Sequence, residues 1–137
     1  MDWKKLLADP GGEAFFRLSG PPDELAAAEE AARELGFFIA RIDGAAIPDK
    51  EALLRRLASQ LNFPDYFGLN WDSLADCLSD LGDWLDAPGY LIVFTDSGKL
   101  CGGKREDLAV LADVLRSAAR FWGGRIPPRA FKAVMAA

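Results

Sequence analysis

Residues 90–94 read Tyr90-Leu91-Ile92-Val93-Phe94, five apolar positions with no polar residue between them. A strand covered on one face alternates apolar with polar side chains. An unbroken apolar run of strand length fits a strand covered on both faces, as in a parallel sheet between helical layers. This run therefore predicts an α/β fold, and its flanks agree. After a loop over Ser97–Gly103, Lys104 to Trp122 is a long amphipathic segment that stops at Gly123-Gly124. Ala130 to Met135, behind Pro127-Pro128, is a further strand. Upstream, Phe37 to Ile42 is a strand closed by Asp43-Gly44. Pro48 to Asn62 is a helix, with Pro at its start and Leu53, Leu54, Leu57 and Leu61 at helical spacing. Asp23 to Leu35 is rich in Ala, Glu and Leu and stops at Gly36, which suits a glycine just past a helix end. Ala14 to Leu18 is a short strand before the Ser19-Gly20-Pro21-Pro22 loop. The order predicts a small, mostly parallel sheet of three core strands, 37–42, 90–94 and 130–135, packed with helices, with 14–18 joining at an edge.

The chain has 137 residues, half of them apolar and 27% charged. That predicts a single domain over 1–137 with a core of its own. No segment reaches the roughly 18 apolar residues of a membrane span. Charge and Pro10 interrupt residues 1–10, so no apolar signal core is read there. The expected location is cytoplasmic, the two cysteines are expected to be reduced, and Cys77 falls on an apolar helix face. There is no His. The commonest general base and every Ser-His or Cys-His pair are therefore missing, and two Cys without His or CxxC spacing offer no zinc site. No cofactor is expected. An isoelectric point near 4.7 disfavours direct nucleic-acid binding.

The acidity is local. Between Arg56 and Lys99 there is no Lys or Arg but there are seven Asp, at 65, 72, 76, 80, 83, 86 and 96. The segment carries −7 and the whole chain −5, so the remainder sums to +2. Asn70 is a suitable N-cap for a helix from Trp71 to about Leu81. On a helical wheel Leu74, Cys77, Leu78 and Leu81 share one side, with Trp71 at its edge. Asp72, Asp76, Asp80 and Asp83 line the other. Like charges one turn apart each cost a few tenths of a kcal/mol. Four readings fit this stripe: a solvated face, a divalent-metal site at Asp72 and Asp76, a paired-carboxylate hydrolase, or a surface that binds something positive. Tyr66 and Phe67 precede the stripe as core residues or interface anchors, and Gly68 is read as the turn before the cap.

Residues 63–78 read F-P-D-Y-F-G-L-N-W-D-S-L-A-D-C-L. This stretch resembles the barstar family, intracellular inhibitors of barnase-type secreted ribonucleases. Pro64, Asp65, Tyr66, Phe67, Gly68, Asn70, Trp71, Asp72, Leu74, Asp76, Cys77 and Leu78 match the family motif position by position. Weaker agreement extends over about 37–135. The resemblance thus implies a barstar-like core at 37–135 and an N-terminal strand–helix extension at 1–36. It also implies an inhibitor, not an enzyme, that is monomeric when free. Its partner would be a barnase-type or other small basic ribonuclease, whose active site it fills with an acidic helix. The implied partner-binding residues are Tyr66, Phe67, Gly68, Asn70, Trp71, Asp72, Ala75, Asp76 and Asp80. Two positions depart from the family's best-characterised interface. Ala75 stands where a Trp is found, and Ser117 where a Glu from the later long helix is used.

Overall fold

A computed structural model describes residues 1–137. In chain order its elements are α1 (Trp3–Ala8), β1 (Phe15–Leu18), α2 (Pro22–Glu34), β2 (Phe38–Asp43), α3 (Lys50–Gln60), α4 (Trp71–Ser79), β3 (Gly89–Thr95), α5 (Arg105–Gly123) and β4 (Ala130–Ala136). Short 3₁₀ turns cover Gly44–Ala46, Leu81–Asp83 and Ser97–Gly103. The four strands form one sheet in the order β1-β4-β3-β2, and every neighbouring pair is parallel.

The apolar run at 90–94 occupies β3, inside the sheet, and all five residues are buried. Alternate side chains serve the two faces. Tyr90, Ile92 and Phe94 join the larger core under α3, α4 and α5, while Leu91 and Val93 meet α1 and α2 in a smaller one. Parallel neighbours need crossovers, and helices supply them. α2 has the longest span, from one edge strand to the other. Its 13 residues reach about 20 Å, enough to cross four strands spaced roughly 4.8 Å apart.

The boundaries read from sequence fall within two residues of the observed ones, and the differences have local causes. α3 starts at Lys50 rather than at Pro48, because the Asp49 carboxylate accepts from the Ala52 N–H and makes Asp49 the cap. The expected loop at 97–103 contains short 3₁₀ turns on either side of a kink at Leu100, Cys101 and Gly102. The N-terminal unit is helix–strand–helix, not strand–helix. Asp2 caps α1 by accepting from the Lys5 N–H, and Trp3 and Leu7 bury against α2. Beyond α1 the chain is tied down by Lys132 of β4, which is 1% exposed. Its ammonium donates to the carbonyls of Asp9 and Glu13, both at 2.7 Å. Burial pulls the Lys132 pKa below its usual range, and Asp9 and Glu13 resist that shift. No helix is long and apolar enough to cross a membrane.

Candidate functional site

The stretch between α3 and α4 is an irregular loop held from below by aromatic rings. Phe63 meets Phe67 edge-on with centroids 5.0 Å apart, and meets Trp84 at 6.3 Å. The Trp84 indole N–H donates to the Leu61 carbonyl at 2.9 Å. Phe67 is half-buried and packs on the main core. It supports the loop from inside, which moves it away from the role of a projecting contact. Tyr66, beside it, points outward with 57% of its surface exposed.

The loop then enters α4 through a small polar knot. The Asn70 side-chain oxygen accepts from the Ser73 N–H at 2.8 Å, and its amide donates to the Gly68 carbonyl at 3.1 Å. The Ser73 hydroxyl accepts from the Gly68 N–H at 2.7 Å. Asn70 is thus the cap the sequence predicts, and Ser73, not singled out there, completes it. The spacing Asn70-x-x-Ser73, N-cap to N3, was the available signal. In the turn read at Gly68, the left-handed residue is Leu69, at φ +55°. Gly68 serves close approach, since a Cβ there would come within 3.1 Å of the Asn70 amide nitrogen. A non-glycine residue in this region stores about 1–3 kcal/mol of strain. Leu69 sustains it because its side chain packs on the core and the knot fixes both neighbours.

Leu74, Cys77 and Leu78 of α4 are fully buried, as the wheel predicts. Burial pushes the Cys77 thiol pKa up, and Asp80 and Asp76 push it further, so it stays protonated. The helix is shorter than expected and ends at Ser79. The Trp122 indole of α5 donates to the Leu78 carbonyl at 2.9 Å, so a tertiary contact engages the acceptor that a continuing helix would offer to residue 82. The Asp80 N–H is shared between the carbonyls of Asp76 and Cys77, and the chain tightens into the 3₁₀ turn at Leu81–Asp83. Gly82 lies there because a Cβ would come within 3.0 Å of the Trp122 ring. The expected four-carboxylate stripe on one α-helix is therefore corrected. Asp72 and Asp76 lie one turn apart on α4, Asp80 is its C-cap, and Asp83 lies on the turn beyond.

The carboxylates differ in their partners. Asp86 pairs with Arg129 at 3.2 Å, and that guanidinium also donates to the Tyr90 hydroxyl at 3.1 Å. Asp65, Asp72, Asp76, Asp80 and Asp83 have no cation within salt-bridge distance. Asp65, Asp72, Asp76 and Asp83 are exposed, while Asp80 is half-buried and accepts a hydrogen bond from the Tyr66 hydroxyl at 2.9 Å. That contact spans 14 residues and ties the loop tip to the end of α4. Partial desolvation, the Asp80 bond and the charges of Asp80 and Asp83 push the Tyr66 pKa up to about 12. Trp71 and Ala75 are half-buried, with the Lys50 ammonium 5.9 Å from the Trp71 ring centre. Ser117 is exposed on α5, where its hydroxyl accepts from Arg120 at 3.1 Å. Asp72 and Asp76 have no third ligand beside them, since no three Asp, Glu, His or Cys side chains are gathered as a metal ion requires.

The site is thus an exposed, unneutralised carboxylate surface, flanked by a projecting Tyr and fixed by an aromatic floor and a capped helix. Comparison with known proteins gives it a context. A protein of Bacillus subtilis (strain 168) described as "Putative ribonuclease inhibitor YrdF" is 38% identical to this chain over 69 residues, 49% of this chain and 72% of that protein. The family model described as "Barstar (barnase inhibitor)" matches residues 37–135, the span from the start of β2 through most of β4 and including the whole carboxylate surface, and the chain belongs to the barstar family.

Proposed function

We propose that this protein inhibits a small basic ribonuclease of the barnase type by inserting the carboxylates of α4 into the enzyme's active site. A ribonuclease binds phosphates with Arg and Lys side chains, so carboxylates on a rigid surface can stand in for the phosphates. The observation that carries the reading is the lack of any intramolecular cation beside Asp72 and Asp76. Their charge is left for a partner. In the proposed complex these two enter the cationic cluster, Tyr66 contacts the enzyme from the loop, and Trp71 and Ala75 lie beside the plug. Gly68 and Asn70 act by fixing the loop and helix entry, and Phe67 by supporting the loop from beneath. Asp80 orients Tyr66 and adds charge at the rim.

Ala75 and Ser117 favour a cognate enzyme other than barnase itself, because an aromatic and an acidic contact of the barnase-type interface are both missing. The test is to titrate the RNA-degrading activity of barnase and of several small basic ribonucleases with the purified protein. Near-stoichiometric inhibition of at least one enzyme is expected, weak inhibition of barnase, and improved inhibition of barnase by Ala75→Trp, since aromatic anchors beside a plug exclude water. If no ribonuclease is inhibited while pull-down captures another basic protein through Asp72 and Asp76, the second reading replaces the first: a barstar-related module for a different basic partner.

A further inference from the structure

The flank of α5 away from α4 carries a feature that the carboxylate surface does not use. Two adjoining hollows, of about 510 and 400 Å³, share Arg116. The first lies between α5 and the 10–14 segment, and the second reaches from Arg116 toward Arg17 of β1 and Arg105 at the start of α5. Together they form a trench along the outer edge of the sheet. Arg17, Arg105, Arg116 and Arg120 line it, all four exposed and none in a salt bridge. The Arg17 and Arg116 guanidiniums lie over the same Phe15 ring, 5.3 and 5.0 Å from its centre. Two like charges are thus gathered at the junction of the hollows. Two carboxylates also line the trench. Glu13 is engaged by the N–H groups of Ala14 and Phe15, and Asp113 pairs with none of the arginines.

The wall opposite α5 is a free sheet edge. β1 is the outermost strand, and the carbonyls of Ala14 and Leu18 accept from Ala133 and Ala137 on the β4 side. By strand alternation the Phe15 carbonyl and the Arg17 N–H and carbonyl point the other way, out along the open edge beside the trench. The Arg17 side chain shares the α5 side of the sheet with Phe15, because the two are separated by two residues on a strand.

We infer that this trench is a second binding site, which takes an extended acidic polypeptide segment as an added strand beside β1. Two properties favour a peptide over a phosphate chain. A peptide uses the free backbone groups as well as the arginines, in the manner of strand addition at a sheet edge. Its alternate side chains repeat about every 6.7 Å, close to the roughly 6 Å between Arg116 and Arg120, one helical turn apart. Carboxylates at every second position would therefore face successive guanidiniums. A nucleic acid would use only the charges, against the overall −5 of the chain. The site lies apart from α4 and does not depend on ribonuclease inhibition.

The experiment is fluorescence anisotropy of the full-length protein with a labelled peptide of about ten residues that alternates Glu with Val or Thr, at about 0.1 M salt. Saturable binding is expected, with Arg17 and Phe16 amide resonances moving in NMR spectra. The double variant Arg116→Glu, Arg120→Glu should weaken it at least about tenfold without changing the thermal melt. Arg17→Pro should bind more weakly than Arg17→Ala, because only the former also removes the outward N–H. Should the Arg17→Pro strand prove unstable, the exposed double variant still decides the matter. No binding at about 1 mM peptide, or unchanged affinity in the double variant, overturns the inference. So does a single-stranded oligonucleotide that binds through the same arginines more tightly than the peptide, which would make the trench a phosphate site.

Discussion

Asp76 and Asp80 are four residues apart on one acidic surface, yet the structure gives them different work. Asp76 is exposed and unpaired. Asp76→Ala should leave the melting temperature unchanged, because the buried face of α4 is untouched. In the proposed complex it would strand the enzyme's cations without a partner, at a cost of about 2–5 kcal/mol that appears mainly in dissociation. Stopped-flow rates with the cognate ribonuclease check this, and wild-type dissociation from the variant would refute the plug. Asp80→Ala removes the acceptor of the Tyr66 hydroxyl as well as a rim charge, so it should alter both rates. Tyr66 also gives a signal in the free protein. Its pKa is raised from 10.0 to about 12, so the folded chain holds this proton more tightly than the unfolded chain does. The associated stabilisation is complete below pH 10 and is lost as pH rises through about 12. Tyr90, the other tyrosine, is also shifted upward, chiefly by burial. Ultraviolet titration should therefore show no normal tyrosine. In Asp80→Asn one phenol should return toward its ordinary range while the other stays put. If both curves are unchanged, the Tyr66–Asp80 bond does not form in solution.

At the scale of elements, what could be read from sequence was what local chemistry decides. The β3 run announced burial on both faces, Asn70 announced a helix start, and Gly36, with φ +76°, announced a helix end. The apolar face of α4 and the exposure of Asp72 and Asp76 followed from a period of 3.6. What could not be read depended on partners distant in sequence. The Trp122–Leu78 bond at the end of α4 spans 44 residues, and the Lys132 bonds that hold the 9–13 segment span more than a hundred. α1 was a different kind of miss. Asp2 as cap and Trp3, Leu6 and Leu7 at helical spacing were visible, but six residues are too few to stand out without the α2 surface they cover. The knot at the start of α4 can be tested as a unit. Asn70→Ala removes the cap and frees the Gly68 carbonyl, and should cost about 1 kcal/mol of stability. The strained Leu69 backbone would then relax and the loop would lose its fixed orientation. Amide exchange should consequently speed up over 66–70 and not in α5. Exchange confined to the first turn of α4 would show that the loop is held by its aromatic floor alone.

Across the whole molecule, charge is sorted rather than spread. The 57–98 segment carries −7, while the remaining chain sums to +2 and places four unpaired arginines on the far flank of α5. A basic enzyme approaching this molecule is drawn by one side. The range of that attraction is set by salt, because the Debye length is about 8 Å at physiological ionic strength and about 30 Å at 0.01 M. This separates near from far charges experimentally. Asp83 is exposed beyond the end of α4 and its carboxylate makes no hydrogen bond or ion pair within the fold, so Asp83→Asn changes steering without loosening the loop. It should slow association with the cognate ribonuclease several-fold near 0.01 M salt and much less near 0.15 M, with little change in dissociation. Arg105→Ala and Arg120→Ala remove repulsive charges on the opposite flank of α5. They should quicken association slightly at low salt and leave it unchanged at physiological salt, where screening isolates the two sides. Equal effects of the Asp83 and Arg120 changes at both salt concentrations would mean that net charge alone governs encounter, and that the sorting of charge between the two flanks has no part in it.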